Sequence, residues 1–253
     1  MRSIRYQWDL LTCLVQRDIK MNYRRSVLGI LWAQLNPLLS LIIFSFVFQQ
    51  VVPLKIPDYP VYVFSGLLAW NWFSTCINQA NYSLINSRDL VRKPQFSTEM
   101  ILVVSVAANM VNFILALPVL LVLLLISGLI PNWTVIFLPL VLLVQFLFTL
   151  GLAFIFSSLN VFFRDMLHIV AVLVTSWFYI TPIFYRADMR SDYAFIINLN
   201  PMTHIIAAYR SIWMYGSPPD FVGLGIVGII AGLIFLVGLR VFGTLKYSFV
   251  DEL

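Results

Sequence analysis

The chain alternates between long apolar runs and short polar segments, and six of the runs contain no Lys, Arg, Asp or Glu. Each run has about 20 residues or more, the length that an α-helix needs to cross a bilayer. The predicted spans are 26–54, broken at Asn36-Pro37, and then 59–87, 100–127, 133–163, 166–185 and 221–239. The pattern predicts an all-α membrane protein in which residues 1–253 form one transmembrane domain.

Composition narrows the function by exclusion. At 61% hydrophobic and 11% charged residues, the chain lies outside soluble globular usage. The spans lack the ionisable groups that ion-coupled transporters keep in the membrane, and the sequence lacks the G-x-x-x-x-G-K-[ST] loop that holds ATP. His168, His204 and the two cysteines do not have metal-site spacing. We expect no catalytic residue, metal, cofactor or nucleic-acid partner, and no clustered acids or bases support a membrane polymerase or transferase.

The basic residues predict the orientation. Twelve of the 16 Lys and Arg fall on the side that receives the N-terminal segment, the loop after the second span, Arg164 and the tail. By the positive-inside rule, both termini are predicted to be cytoplasmic.

Residues 1–25 are predicted to form an amphipathic helix that lies in the membrane interface. Ile4, Trp8, Leu11 and Val15 share one stripe of a helix, and basic residues occupy the other face. The alternative is a solvated basic leader that only sets the topology.

The loop between the second and third spans is predicted to hold a short helix. Ser87 is a candidate N-cap and a proline ends the segment. A helix so close to the membrane could dock a cytosolic partner or could serve only as a topology anchor. The residues of this candidate docking helix, 87–93, are Ser87, Arg88, Asp89, Leu90, Val91, Arg92 and Lys93.

Residues 193–215 form an apolar segment on the predicted outer side, split at Asn200-Pro201. Its two pieces are shorter than a span and are typical of re-entrant or interfacial helices. Such a hairpin would cap a pathway through the bundle, with Tyr209 and Trp213 on its second piece. The alternative is a seventh crossing, which would move the C-terminus outside and worsen the charge balance.

Several aromatic and amide side chains lie deep within the predicted spans, where a neutral pathway for sugar rings could use them. Packing within the bundle is the other reading, because large aromatics fill helix interfaces and amides join helices in lipid. The candidate channel-lining residues are Trp70, Trp72, Phe73, Asn78, Asn109, Asn112, Trp177 and Tyr179.

A set of short motifs extends along nearly the whole chain. They are, in order, Arg17-Asp18-Ile19-Lys20, 23–32 (YRRSVLGILW), Asn36-Pro37-Leu38, Phe64-Ser65-Gly66-Leu67, Trp70-Asn71, 159–165 (LNVFFRD), 181–185 (TPIFY), Asn200-Pro201 and 249–253 (FVDEL). In this order and spacing, the sequence resembles the membrane subunits of type-2 ABC exporters that translocate polysaccharides such as O-antigen, capsule and teichoic acid. It departs at Gln95, where relatives often have a tyrosine.

The resemblance implies a homodimer in the bacterial inner membrane with two cytosolic ATPase subunits that bind ATP and Mg²⁺. By this analogy, 1–25 is the interfacial helix, 87–93 the coupling helix that docks on the ATPase, and 193–215 the external gate. The implied cargo is a lipid-linked glycan, with a drug or small-lipid exporter as the alternative and a passive channel or assembly protein less favoured. We further hypothesise that Arg17, Lys20, Arg24 and Arg25, at headgroup level, guide the pyrophosphate of the cargo.

Overall fold

The computed structural model describes residues 12–17, 32–51, 56–92, 96–186 and 194–252, and these residues contain helices and loops but no strand. The helices are α1, 12–17; α2, Trp32–Phe46, followed by a π-helical turn, Val47–Val51; α3, Tyr59–Asn86; α4, Arg88–Val91; α5, Glu99–Ile126; a 3₁₀ turn, Trp133–Phe137; α6, Leu138–Phe162; α7, Met166–Ile180; α8, Ala194–Leu199; α9, Pro201–Trp213; α10, Phe221–Leu245; a second 3₁₀ turn, Lys246–Ser248; and α11, Phe249–Glu252. The all-helical prediction is therefore confirmed for the described residues.

Three helical segments in the described part of the chain are long and apolar enough to cross a membrane: Glu99–Ile126, Trp133–Phe162 and Phe221–Ser248. Helix α3 has 28 residues, about 42 Å at 1.5 Å per residue, but it carries more polar side chains. The apolar helices Leu35–Val51 and Met166–Ile180 are shorter. The count of six spans stays a prediction, and 26–31 and 52–54 of the first span lie outside the described residues.

Three predicted boundaries were wrong. Helix α2 runs through the expected break, with Pro37 inside it as its sixth described residue. The proline has no N–H, so the helix continues there with one backbone hydrogen bond fewer. Helix α7 ends at Ile180, five residues early, since Pro182 keeps Thr181 extended at ψ 131°. Helix α10 continues past Leu239 to Leu245, because a charge such as Arg240 marks membrane depth and does not end a helix.

Helix α3 lies at the centre of the bundle and packs against α2, α5, α6, α7 and α9. Its outer half, residues 61–70, is buried on every side. Polar side chains tie α3 to its neighbours: the Gln145 side-chain amide donates to the Ala69 carbonyl (2.8 Å), and the Trp72 indole donates to the Val106 carbonyl (3.3 Å). The Asn160 amide likewise donates to the Asn81 carbonyl. In lipid such bonds join helices where apolar contact gives little preference.

Helices α6 and α10 approach most closely at Gly151 and Gly238. A Cβ on Gly151 would lie 2.6 Å from the Phe235 backbone nitrogen, so only glycine fits. The sequence suggests Gly228 and Gly232 for close packing, but a Cβ at Gly228 would meet only Val144 at 3.7 Å, and one at Gly232 would meet nothing within 4 Å. Within the described protomer neither glycine brings a neighbouring helix close, because the spacing of the two glycines alone does not show which face meets a neighbour.

One ion pair joins the ends of two spans. Lys246 Nζ lies 2.8 Å from Glu99 Oε1, and Ser97 Oγ donates to the other carboxylate oxygen at 2.7 Å. The start of α5 and the end of α10 therefore lie on the same side of the bundle, as the predicted topology requires.

Candidate functional site

Helix α4 is a short knob anchored by one apolar residue. Val91 is buried, whereas Arg88, Asp89 and Arg92 are exposed. Ser87 occupies the N-cap position, but its side chain makes no capping bond; its carbonyl instead accepts from the amides of Leu90 (2.9 Å) and Val91 (3.0 Å). The knob thus presents a charged face outward. Lys93 of the predicted docking helix lies outside the described residues.

A cavity of about 660 Å³ lies beside α4, where four segments converge. It is lined from α1 by Leu14 and Arg17, from α3 by Gln79, Tyr82, Ser83 and Asn86, from α4 and its cap by Ser87, Asp89 and Leu90, and from α5 and the residues before it by Phe96, Ile101, Val104 and Ser105. The α3 residues follow the spacing i, i+3, i+4, i+7, so they share one helix face. Of the four basic residues predicted to guide a pyrophosphate, Arg17 lines this cavity, and Lys20, Arg24 and Arg25 lie outside the described residues.

A hydrogen-bond network forms one wall of this cavity. The side-chain oxygen of Gln79 accepts from Asn109 Nδ2 (2.7 Å) and Ser105 Oγ (3.1 Å), and Asn109 Nδ2 also donates to the Ser105 carbonyl (2.9 Å). Two donors fix the orientation of the Gln79 amide. Its NH₂ group has no partner among the described residues.

Helix α3 also presents an uncharged polar stripe along its inner half. The five residues, called the polar stripe below, repeat at i, i+3, i+4, i+7 and i+11 and are all at least partly accessible: Asn71, Ser74, Thr75, Asn78 and Tyr82. The side-chain amides of Asn71 and Asn78 have no partner among the described residues. Tyr82 belongs to both the stripe and the cavity wall, so the two surfaces adjoin.

The predicted channel-lining residues occupy different environments. Trp70, Trp72, Phe73 and Asn109 are buried inside the protomer, while Asn78 and Trp177 are partly accessible and Tyr179 is 61% exposed. Asn112 is half-buried, and its side-chain oxygen has no partner among the described residues. The rings of Trp70, Phe73 and Trp177 form one cluster, with the centres of Phe73 and Trp177 5.2 Å apart, whereas the Trp72 ring contacts Phe113 at 5.4 Å. Their role in a channel stays a prediction.

The outer segment forms two helices that meet at Asn200-Pro201, where the sequence predicts the split. Asn200 joins three elements: its side-chain oxygen accepts from the Trp177 indole (2.8 Å) and the Met202 amide (3.0 Å), and its NH₂ donates to Thr181 Oγ1 (2.9 Å). Helix α9 packs against α3, α6 and α10, and Tyr209 and Trp213 are buried. It is thus embedded in the bundle and does not lie on its surface.

The buried side chain of Arg210 in α9 connects this end of the bundle to α3 and to the loop after α7. Arg210, 5% exposed, donates from Nη1 to the Pro182 carbonyl (2.8 Å) and from Nη2 to the Ile183 carbonyl (2.7 Å). Nε and Nη2 both donate to the Tyr62 carbonyl (3.3 and 3.2 Å), and the guanidinium carbon lies 3.5 Å from the centre of the Tyr62 ring. The next two carbonyls, Phe184 and Tyr185, accept from the hydroxyls of Tyr59 (3.1 Å) and Tyr62 (2.7 Å).

This arrangement, called the arginine cage below, gives a hydrogen-bond donor to each of the four successive carbonyls of residues 182–185. These carbonyls belong to a loop and therefore have no helical partners. Gly66 makes room for it, since a Cβ there would lie 3.0 Å from Arg210 Nη2. The sequence analysis did not identify Arg210, which is one of the four Lys and Arg residues on the predicted outer side. No signal near it in the sequence shows its partners, because Tyr62 lies 148 residues and Pro182 28 residues away along the chain.

Comparison with known proteins settles the family. The family model described as "ABC-2 type transporter" matches residues 9–214. This chain belongs to the ABC-2 type transporter family. The described residues of this ABC-2 protein contain no group of three His, Cys, Asp or Glu that could hold a metal ion.

Several curated proteins match the ABC-2 chain over nearly its whole length. An "O-antigen export system permease protein RfbA" of Myxococcus xanthus is 35% identical over 252 residues, which covers 98% of this chain and 97% of the relative. A protein of the same name from Klebsiella pneumoniae is 33% identical, covering 99% and 97%. A "Polysialic acid transport protein KpsM" of Escherichia coli is 25% identical over 244 residues, 91% of each chain.

Proposed function

We propose that this chain is the permease subunit of an ATP-driven exporter that moves a lipid-linked polysaccharide of the O-antigen or capsule type across the cytoplasmic membrane. The family membership and the names of the relatives support a polysaccharide cargo. Within the structure, the observation that carries the proposal is the polar stripe of α3, an accessible row of amides and hydroxyls in an otherwise apolar bundle.

The chemistry of the stripe fits a sugar polymer. Amide and hydroxyl groups exchange hydrogen bonds with sugar hydroxyls, and each such bond contributes only about 0.5–1.5 kcal/mol net. A long polymer can therefore move from one group to the next without being held. A charged stripe would cost more in the membrane, and α3 has no charged residue between Tyr59 and Asn86.

We further propose that two copies of the chain form the pathway and that each α4 knob docks on one of two cytosolic ATPase subunits, which supply ATP, Mg²⁺ and hydrolysis. In this assembly the chain has six spans and both termini in the cytoplasm of a bacterium, and it is not itself an enzyme. The exposed charges of Arg88, Asp89 and Arg92 around a buried Val91 support a docking role for α4. Helices α8 and α9 form the external end of the pathway, fixed by Asn200 and the arginine cage.

A drug or small-lipid exporter is the second candidate. An apolar cargo would need an apolar path, whereas the five residues of the polar stripe make the accessible face of α3 polar over about three helical turns. We therefore favour the glycan.

The test is deletion of the gene and complementation in its host. We expect deletion to remove surface polysaccharide and a P-loop ATPase to co-purify with the tagged chain. Complementation with Thr75→Val plus Asn78→Leu should lower export by about tenfold, because two hydrogen-bonding groups of about 0.5–1.5 kcal/mol each are lost. Thr244→Val, which also removes an exposed hydroxyl, is the matched control for Thr75→Val.

Two results would contradict the proposal in different ways. A deletion strain that keeps its surface polysaccharide and becomes only drug-sensitive would refute the cargo. Normal export by the double variant, with Thr244→Val also normal, would show that the stripe is not the path.

A further inference from the structure

The cavity beside α4 has an amphipathic lining. One part consists of the apolar side chains of Leu14, Leu90, Phe96, Ile101 and Val104, and the other of amides, hydroxyls, one guanidinium and one carboxylate, that of Asp89. Its volume of about 660 Å³ is in the range of small-molecule sites. A soluble polar ligand would leave the apolar wall unused, so the lining is suited to an amphiphile.

The depth of the cavity agrees with this chemistry. Gln79 lies seven residues before Asn86, the end of α3, which is about 10 Å along the helix axis. In the proposed topology, in which α4 lies at the cytoplasmic surface, the cavity extends from the membrane surface to about the edge of the hydrocarbon region, since α3 is about 42 Å long and the hydrocarbon core is about 30 Å thick. This is the depth at which lipid headgroups lie.

Two donor groups are available to an anion there. The Gln79 oxygen is occupied by Ser105 and Asn109, which leaves its NH₂ group without a partner among the described residues. Arg17 contributes a guanidinium from α1. Amide N–H groups and a guanidinium are the usual ligands of phosphate oxygens.

We propose that this cavity binds the phosphate headgroup of an amphiphile from the cytoplasmic leaflet, with the Gln79 amide and Arg17 as its donors. Asp89, the carboxylate in the lining, accepts hydrogen bonds from ammonium or hydroxyl groups of the same headgroup. The amphiphile is either a membrane phospholipid or the polyprenyl phosphate carrier of the glycan. If the amphiphile is the glycan carrier, this inference rests on the proposed function of the chain. If it is a membrane phospholipid, the inference is independent of that function. Because the site lies between α1 and α4, its occupant contacts the knob assigned to the ATPase.

The test uses the chain together with its ATPase, purified in dodecyl maltoside. Native mass spectrometry measures the retention of three probes added in equal amounts: phosphatidylglycerol, undecaprenyl phosphate and, as the neutral probe, diacylglycerol. We expect selective retention of at least one phosphate-bearing probe. Retention of undecaprenyl phosphate alone would assign the site to the carrier, and retention of both would assign it to phosphate headgroups in general.

Gln79→Glu is the sharpest variant, because it keeps an oxygen for Ser105 and Asn109 but replaces the two free N–H donors with an anionic oxygen. We expect it to lower retention of the phosphate-bearing probe by about tenfold or more. Gln50→Glu, the same change at an exposed residue near the other end of the bundle, should leave retention unchanged. Should Gln79→Glu fail to fold, Arg17→Gln tests the same site from exposed α1, with Arg164→Gln as its charge-matched control.

Three results would overturn the proposal. One is equal retention of neutral and phosphate-bearing probes by the wild-type complex. Another is loss of retention in the control variants to the same extent as in the test variants. The third is retention by the isolated chain that disappears when the ATPase is present, which would assign the cavity to the partner protein. None of these results depends on whether surface polysaccharide is lost on deletion, so a failure here is distinguishable from a failure of the proposed function.

Discussion

Replacing Arg210 tests whether the arginine cage stabilises the outer end of the bundle. Arg210→Met removes the donors to the Pro182 and Ile183 carbonyls. The Tyr62 carbonyl keeps a partner, since Ser65 Oγ donates to it at 3.0 Å. Two buried carbonyls are therefore left unpaired, at about 1–3 kcal/mol each. Removal of the buried charge also relieves its desolvation cost, so we expect a net loss of about 2–4 kcal/mol.

Arg210→Lys separates charge from geometry. A lysine keeps the positive charge but offers one ammonium, which cannot span the carbonyls that the planar guanidinium joins. The buried charge would be incompletely satisfied, which is costly. We therefore expect the conservative change to destabilise the chain at least as much as Arg210→Met.

The assay is thermal unfolding in mild detergent, followed by size-exclusion chromatography of a fluorescent fusion. A loss of about 2–4 kcal/mol corresponds to a fall in Tm of roughly 5–15 °C for a chain of this size. Arg164→Met and Arg164→Lys, at an exposed arginine on the predicted cytoplasmic side, should change Tm by less than about 2 °C. A wild-type Tm for Arg210→Lys would refute the reasoning, because it would show that the fork geometry of the guanidinium contributes nothing.

Three further substitutions test neighbouring parts of the structure. Gly66→Ala should destabilise the chain by about 1–3 kcal/mol and lower Tm, because the added Cβ would lie 3.0 Å from Arg210 Nη2. Gly225→Ala is the control and should not lower Tm, since its Cβ would meet nothing within 4 Å. Arg88→Glu with Arg92→Glu should reduce co-purification of the ATPase without lowering Tm, whereas Val91→Ala, at a buried position, should cost about 1–2 kcal/mol of stability and so lower Tm. Intact ATPase binding by the charge-reversed pair would contradict the docking role. Glu99→Lys and Lys246→Glu should each lose only up to about 1 kcal/mol, because the partly exposed pair is screened by solvent, and the double swap should recover the loss. A loss in the double swap equal to the sum of the two single losses would show that the pair is not coupled.

The sequence predicted the features that depend on local composition. The apolar runs, the break between the spans 100–127 and 133–163, where Gly128 has φ 73°, and the split at Asn200-Pro201 all follow from residue properties within a few positions of each other. The short helix after α3 was predicted for the same reason, although its expected side-chain cap is absent.

Features that depend on distant contacts could not be predicted. Arg210 lies 148 residues from Tyr62, and nothing near it in the sequence shows that its partners are carbonyls. The same applies to Trp72, whose indole bonds to Val106 34 residues away and is thereby drawn into the protein interior. Deep position in a span predicts that a side chain is inside the membrane, but it does not distinguish a pathway from a helix interface.

Helix α3 is central in the bundle but less apolar than the other long helices, and this combination indicates which part of the protein meets the substrate. Helix α3 is the most enclosed of the long helices, yet it is not among the three segments that are clearly apolar enough to cross a membrane. The polar stripe and the amides that face the cavity lower the mean hydropathy of α3, and both lie toward the end nearer α4. The other half of the helix is buried and contacts the arginine cage. A helix that served only to pack would gain stability from apolar residues at these accessible positions. The amides and hydroxyls at these positions therefore support the proposed contact with a polar substrate, in which the buried half of α3 would hold that surface in place.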